Sequence, residues 1–346
     1  MNLLYVGSTD GMEGGLVARE SGIPFVGLPA AALKGRSPLQ MARNSLVLLR
    51  GVAAARRLIR ERRPAAILGT GGYVCVPLFV AAALERVPTL LYLPDIIPGL
   101  AGRVLAKLAT KIGVTFEDSR RYLPARKVIA TGYPVRAELF ETDRAAARAA
   151  FGIADDLPAL LVYGGSRGAR SINRAIQALL PDLVQWSHIL HVCGREGDEA
   201  FLRDTASQLA PEVAGRYQIF PYLHAGQPQS MGAAFRAADL AVCRAGASTM
   251  AELPAAGLGA VLIPLVHVHQ DANARALASR GAAVQINDDE LLGAGAPIDG
   301  PLGRQLKELL TDHAARRRLA ERSAALAQPD AGLRLAAEWL RLARGV

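Results

Sequence analysis

The chain has 346 residues, 51% hydrophobic and 5% aromatic, which at ~150 residues per domain suggests two domains with sizeable cores. Cys75, Cys193 and Cys243 have neither disulfide nor metal-ligand spacing, which excludes a stapled scaffold and indicates a reducing, cytoplasmic setting. The net charge of +9 is uneven: residues 1–137 hold 19 Lys/Arg against 8 Asp/Glu, and residues 138–346 hold 21 against 23.

Apolar strands alternate with helix-length segments along the whole chain. In the first half the expected strands are 2–7, 24–28, 65–70, 89–93, 112–116 and 127–132, with helices near 39–61, 76–85 and 99–109. "MNLLYVGSTDG" runs from a strand straight into a turn, with no cleavable signal. The longest apolar stretch, "VCVPLFVAAALERVPTLLYL" (74–93), is broken by Glu85, Arg86 and Pro88, so it does not span a bilayer. In the second half strands are expected at 159–165, 188–194, 217–222, 240–243, 260–265 and 282–287. Their helices lie near 168–183, 198–210, 230–237, 248–257, 270–279 and 302–327. Such alternation implies parallel sheets covered on both faces. Twelve strands exceed one ordinary open sheet, and the best linker lies within 131–152, so the expected fold is α/β, two Rossmann-like domains joined near 133–143 and facing a cleft. The boundaries read as 1–137, 138–330 and a C-terminal helix, 331–346, that crosses back to the first domain.

Three strand ends in the second half carry loops suited to a phosphorylated ligand. "VYGGSRGARSINRAI" (162–176) places Gly164, Gly165 and Gly168 between a strand and a helix N-terminus, with Ser166 as a hydroxyl donor and Arg167 and Arg170 adding charge. Its G-G-x-x-G spacing differs from the dinucleotide fingerprint, and a structural tight turn is the plain alternative. "CRAGASTMAELPAAG" (243–257) leaves room for a ligand at Gly246 and Ala247. Ser248 and Thr249 can cap the helix and donate to phosphate, and Glu252 can accept from the two hydroxyls of a ribose. The helix dipole alone also favours an acid there. "IPLVHVHQDANA" (263–274) offers Gln270 and Asn273; His267 and His269 lack a third ligand at suitable spacing, so no metal is expected. In the basic half, "TGGYV" (70–74) opens a helix in the same manner. The charge of that half suits a phosphorylated substrate or an anionic membrane surface. It has no aromatic-rich strand for stacking bases, so nucleic acid is not expected.

"GGSRGARSIN", "CRAGASTMAEL" and "HQDANA", in that order and spacing, resemble the nucleotide-sugar half of the MurG family, the lipid-linked N-acetylglucosaminyltransferases of peptidoglycan synthesis. "GSTDGMEGGLV" (7–17), "LKGR" (33–36), "GTGGYVCVP" (69–77), "PGLAGRVLAKLATKIGV" (98–114) and "ATGYPVR" (130–136) extend the likeness over nearly the whole chain. The resemblance implies a GT-B-type fold and inverting transfer from UDP-N-acetylglucosamine to an undecaprenyl-diphosphate-linked muramyl peptide. It implies a role in cell-wall biogenesis, cell shape and division, without a cofactor, by a peripheral protein of the cytoplasmic membrane face. Donor-binding residues carried over are Asp95, Arg136, Ser166, Leu223, Ala247, Ser248, Thr249, Met250, Ala251, Glu252 and Gln270. Gly71, Gly72 and Tyr73 are expected to meet the acceptor diphosphate.

Two departures bear on catalysis. The family places a strand and a G-G-T-G-G-H loop before "LYVG", and this chain starts at "LYVG". The expectation is therefore a first domain lacking its first strand, through a misplaced start or a true truncation, with lower stability and poor transfer. The family's H-E-Q-N is "YLPD" (92–95) here, which leaves the general base unassigned, with Asp95 and Asp10 as candidates. The rival readings are another nucleotide-sugar transferase or epimerase of the same architecture, and a non-catalytic UDP-sugar-binding protein.

Overall fold

A computed structural model describes residues 2–9, 14–15, 17, 21–31, 37–154 and 156–345. The chain forms two compact units, Met1–Gly132 together with Gly332–Val346, and Tyr133–Ala331.

The first unit contains β1 (Tyr5–Ser8), β2 (Phe25–Leu28), α1 (Pro38–Arg62), β3 (Ile67–Gly69), α2 (Cys75–Leu84), β4 (Thr89–Leu93), α3 (Leu100–Leu108), β5 (Lys111–Val114) and β6 (Val128–Ala130). All strand pairs are parallel, as the alternation predicts, but they form two sheets: β1-β2 and β3-β4-β5-β6. The core joins both sheets through the helices: Leu28, Ile67, Leu91 and Ile112 pack with Ala55 and Ile59 of α1, Phe79 of α2 and Leu105 of α3. Ser37 caps α1, accepting from the Gln40 N–H, and Pro38 fits the first turn, where its missing N–H has no helical partner.

The second unit begins with the short helices α4 (Glu138–Glu141) and α5 (Arg144–Ala150), in the stretch read from sequence as linker. β7 (Ala159–Tyr163), α6 (Arg170–Trp186), β8 (His188–Val192), α7 (Glu199–Ala206), α8 (Pro211–Ala214), β9 (Tyr217–Phe220), α9 (Met231–Ala237), β10 (Leu240–Cys243) and α10 (Thr249–Ala256) follow. The unit closes with β11 (Gly259–Leu262), α11 (Gln270–Ala278), β12 (Ala283–Gln285), α12 (Pro301–Thr311) and α13 (His313–Ala324). The segment 302–327 was expected as one helix. It divides at Asp312, whose carboxylate accepts from the Ala314 and Ala315 N–H groups and starts α13.

The six strands form one parallel sheet in the order β12-β11-β10-β7-β8-β9. Every residue of β7, β8, β10 and β11 is buried, which suits the unbroken apolar runs of β7, β10 and β11; β8 also buries His188 and His191. Winding reverses between β7 and β10, where Leu240 to Cys243 lie beside Leu160 to Tyr163. In such sheets the crevice at the carboxyl ends of the two strands flanking the reversal receives the ligand.

The last helix, α14 (Ala331–Arg344), belongs to the first unit. Leu335 lies against Gly113 of β5, and the buried Glu338 pairs with Lys111 at 3.1 Å.

Candidate functional site

Two of the three loops singled out in the second half, those after β7 and β10, lie at that reversal. After β7 the chain turns through Gly164 to Gly168, with φ of +90° at Gly165 and +92° at Gly168, a region only glycine adopts freely. Space matters as much as conformation: a Cβ on Gly168 would stand 2.2 Å from the Cys193 carbonyl oxygen. The loop therefore lies flat against the loop that follows β8. Ala169, at the start of α6, provides no side-chain cap for the first-turn amides at the positive end of the helix dipole. Ser166 is exposed on this loop. Arg167 and Arg170 pair with Glu196 and, at 2.8 Å, Asp198, which links the two loops while both arginine side chains stay largely exposed.

A buried polar network underlies this pairing. Asn173 of α6 donates to the Cys193 carbonyl (2.9 Å) and to Asp198 (2.8 Å), and its oxygen meets His191 Nε2 at 2.9 Å. His191 Nδ1 meets the Tyr217 hydroxyl, also at 2.9 Å. Burial lowers the His191 pKa to about 3, with Asp198 opposing the shift, so the ring is neutral and serves as a structural hydrogen-bonding group.

At the end of β10, Ala247, Ser248, Ala251 and Glu252 are partly exposed, whereas Thr249 and Met250 are buried. Ser248 was read as a helix cap. It has helical backbone angles and makes no cap bond; its hydroxyl acts on the Glu252 carboxyl one turn on, favouring the charged form. Burial pushes the Glu252 carboxyl up, while Ser248 and the charge of Arg136 pull it down. Arg136, which also pairs with Glu138 at 3.7 Å, is thus brought into the field of Glu252, 116 positions away in sequence. Gln270 opens α11 with its amide oxygen accepting from the Leu265 N–H (3.1 Å). Asn273 is buried and donates to the Ala245 carbonyl (3.0 Å), holding the β10 loop in place. Leu223 is buried after β9, so its backbone is what it can offer a ligand.

Sequence reasoning missed Arg244. Its guanidinium reaches Asp288, Ser171 and the Ile263 carbonyl, tying together loops that are separate in sequence. The available signal was an arginine placed directly after a fully buried strand end.

In the first unit, Gly71 (φ +88°) and Gly72 (φ +76°) shape the turn between β3 and α2, and Tyr73 is exposed beside them. Asp95 is partly exposed after β4, and its backbone carbonyl accepts from the Ser119 hydroxyl at 3.5 Å. Asp10 lies outside the described residues. Among the described residues, no group of three or more His, Cys, Asp or Glu side chains is placed to hold a metal ion.

Two parallel α/β units, one with a glycine-rich loop and a Ser/Thr/Glu helix start at its reversal point, define a glycosyltransferase of the GT-B class. The chain belongs to glycosyltransferase family 28: the family's N-terminal domain matches residues 2–114 and its C-terminal domain residues 159–331. Within the family it is similar to the UDP-N-acetylglucosamine–N-acetylmuramyl-(pentapeptide) pyrophosphoryl-undecaprenol N-acetylglucosamine transferases. That of Roseiflexus sp. (strain RS-1) is 55% identical over 96% of this chain and 82% of its own length. That of Bacillus subtilis (strain 168) is 32% identical over 97% and 89%. The crystal structure of Acinetobacter baumannii MurG superposes with a TM-score of 0.74 at 25% identity, covering 97% of this chain and 90% of that one.

Proposed function

We propose that this chain transfers N-acetylglucosamine from UDP-N-acetylglucosamine to the 4-hydroxyl of an undecaprenyl-diphosphate-linked muramyl peptide, with inversion at C1 and release of UDP. The single observation that carries the donor half is the meeting of the Gly164–Gly168 loop, the Ala247–Glu252 helix start and Arg136 in one unit. Ser166, Ala247, Ser248 and Thr249 with the amides around them face the diphosphate, and Met250 and Ala251 complete the helix start. Glu252 accepts from the ribose hydroxyls, the Leu223 backbone meets the base, and Gln270 meets the sugar; the family resemblance also assigns Asp95 to the donor. As the C1–oxygen bond breaks, negative charge gathers on the departing diphosphate. Two helix N-termini and Arg136 stabilise that charge more in the transition state than in the ground state. Gly71, Gly72 and Tyr73 are assigned to the acceptor diphosphate, and Asp95 and Asp10 remain the carboxylates to test as general base.

A lipid-linked acceptor requires contact with the membrane, and α1 and α3 support it. Met41, Leu46 and Leu49 are exposed on α1 beside Arg43 and Arg50, and Leu100, Val104 and Leu108 form an exposed stripe on α3 beside Arg103 and Lys107. Apolar side chains flanked by cations suit peripheral docking on an anionic leaflet. Among the described residues no helix is long and apolar enough to cross a membrane. The test is transfer of labelled N-acetylglucosamine from its UDP ester to a lipid-linked muramyl-peptide acceptor, with the product linkage assigned by NMR. Formation of the 2-epimer of the donor, or no calorimetric binding of UDP-N-acetylglucosamine by folded protein, would overturn the reading.

A further inference from the structure

We propose that Arg244, Asp288 and Ser171 form a positioning clasp that fixes the nucleotide-facing loops of the second unit relative to one another without touching the nucleotide. Arg244 Nη1 donates to Asp288 Oδ1 at 2.6 Å and to the Ile263 carbonyl at 3.1 Å, and Nη2 donates to Ser171 Oγ at 2.7 Å. The Ser171 hydroxyl in turn donates to Asp288 Oδ1 at 2.6 Å. Each contact comes from a different strand end. Arg244 opens the loop after β10, Ser171 lies in the first turn of α6 after the β7 loop, Ile263 follows β11, and Asp288 follows β12. These four strands are consecutive neighbours in the sheet, so one guanidinium spans the side of the sheet that carries both candidate phosphate loops. Lysine is a poor replacement: the guanidinium reaches these acceptors from two separated nitrogens of one rigid plane, whereas the three N–H groups of an ammonium converge on one nitrogen.

The chemistry separates this clasp from a core ion pair. The Arg244 side chain is 12% exposed, but that of Asp288 is 36% exposed. Removing Arg244 therefore leaves an aspartate that water can reach, and the fold loses little, while the β7 and β10 loops lose their shared anchor. Asn273 still holds Ala245 from the other side of the same loop. The expected result is looser loops on an intact sheet.

This inference rests on the donor-site reading, and the experiment keeps the two apart. Arg244→Ala, Arg244→Lys, Ser171→Ala and Asp288→Ala are compared with wild type by calorimetry with UDP-N-acetylglucosamine. Hydrogen–deuterium exchange of the ligand-free proteins follows residues 164–171 and 244–252. Each variant is expected to raise Kd about 5–20-fold, with Arg244→Ala and Asp288→Ala non-additive when combined, as for groups acting as one unit. Exchange in both segments should rise while the thermal midpoint stays near wild type. If Asp288→Ala leaves Kd unchanged or tightens it while Arg244→Ala weakens it, the arginine acts directly on the phosphates and the clasp is wrong. Unchanged exchange in both segments also overturns it. If wild type fails to bind the UDP-sugar, the donor reading falls, and the exchange data still decide for or against the clasp.

Discussion

Replacing Glu252 by Gln tests the donor site most directly, because it removes charge with almost no change of shape. Glu252 sits in the first turn of α10, where the Ser248 hydroxyl and the charge of Arg136 both favour its ionised form. Two ribose hydroxyls donating to an ionised carboxylate contribute ~1.5–3 kcal/mol each, against ~1 kcal/mol to a neutral acceptor. The free protein already carries a cost for ionising this buried group, which binding must share, so the net loss is smaller than the sum. Glu252→Gln should cost ~1–2 kcal/mol and Glu252→Ala ~1–3 kcal/mol, or roughly 5- to 150-fold in Kd.

The pH dependence gives a second readout from the same variant. The folded carboxyl titrates above its ordinary 4.5, with burial as the largest cause. For stability the sign is that the neutral form is tolerated, so this group's contribution is best at low pH and declines as pH rises from 4.5 through the raised value. For binding the sign reverses. The ribose hydroxyls bond the carboxylate more strongly than the neutral acid, so affinity is full above the raised value and falls below it towards that of the Glu252→Gln variant. UDP-N-acetylglucosamine is the ligand to use, since its diphosphate diester takes up no proton in this range. The wild-type curve should bend and the Glu252→Gln curve should be flat. Calorimetry giving wild-type affinity and an unchanged bend in a folded Gln variant would refute the ribose assignment.

UDP-sugar binding should persist in EDTA, because helix N-termini and Arg136 supply the positive charge; loss in EDTA with recovery in magnesium would refute this. Gly168→Ala should destabilise the protein by ~2–5 kcal/mol in urea, since the added methyl meets the Cys193 carbonyl at 2.2 Å in a left-handed backbone; a shift below ~1 kcal/mol would contradict the packing described. His191 is held neutral, with its pKa lowered from 6.5 to about 3, so the stability it contributes is present above pH 6.5 and lost as pH falls through that window. Acid unfolding should therefore steepen by about one proton below pH 6.5, and His191→Gln should remove that proton from the pH slope. Leu46→Glu with Leu49→Glu should lower partitioning onto phosphatidylglycerol vesicles at least tenfold, as two leucines that would each contribute ~1.5–3 kcal/mol on burial are lost; unchanged sedimentation with the vesicles would remove α1 from the docking face.

Strand alternation was legible because buried parallel strands need unbroken apolar runs, and each expected strand overlaps an observed one. The ends were read too long where a run continues into glycine, as at Gly164 and Gly165, since a β-like composition persists after pairing stops. The supposed linker hid α5, started by Asp143 accepting from the Ala146 N–H. In the first unit, alternation gave the strands but not their division into two sheets, because pairing partners are a tertiary property. The glycine loops were legible from spacing. The fate of the arginines was not: Arg167 and Arg170 find Glu196 and Asp198, and Arg244 finds Asp288, all through folding that joins distant sequence.

The return of α14 to the first unit orders events during synthesis. The first unit is interrupted after Gly132 and resumes at Gly332, so the whole second unit leaves the ribosome before the helix that seats Leu335 on Gly113 and pairs Glu338 with Lys111. At ~5–20 residues per second, that leaves β5 without its covering helix for roughly 10–40 s. The second unit has its own continuous core, completed by α12 and α13. A released chain ending at residue 331 would therefore keep that core whole while its first unit lacks α14, and limited proteolysis would cut the first unit preferentially.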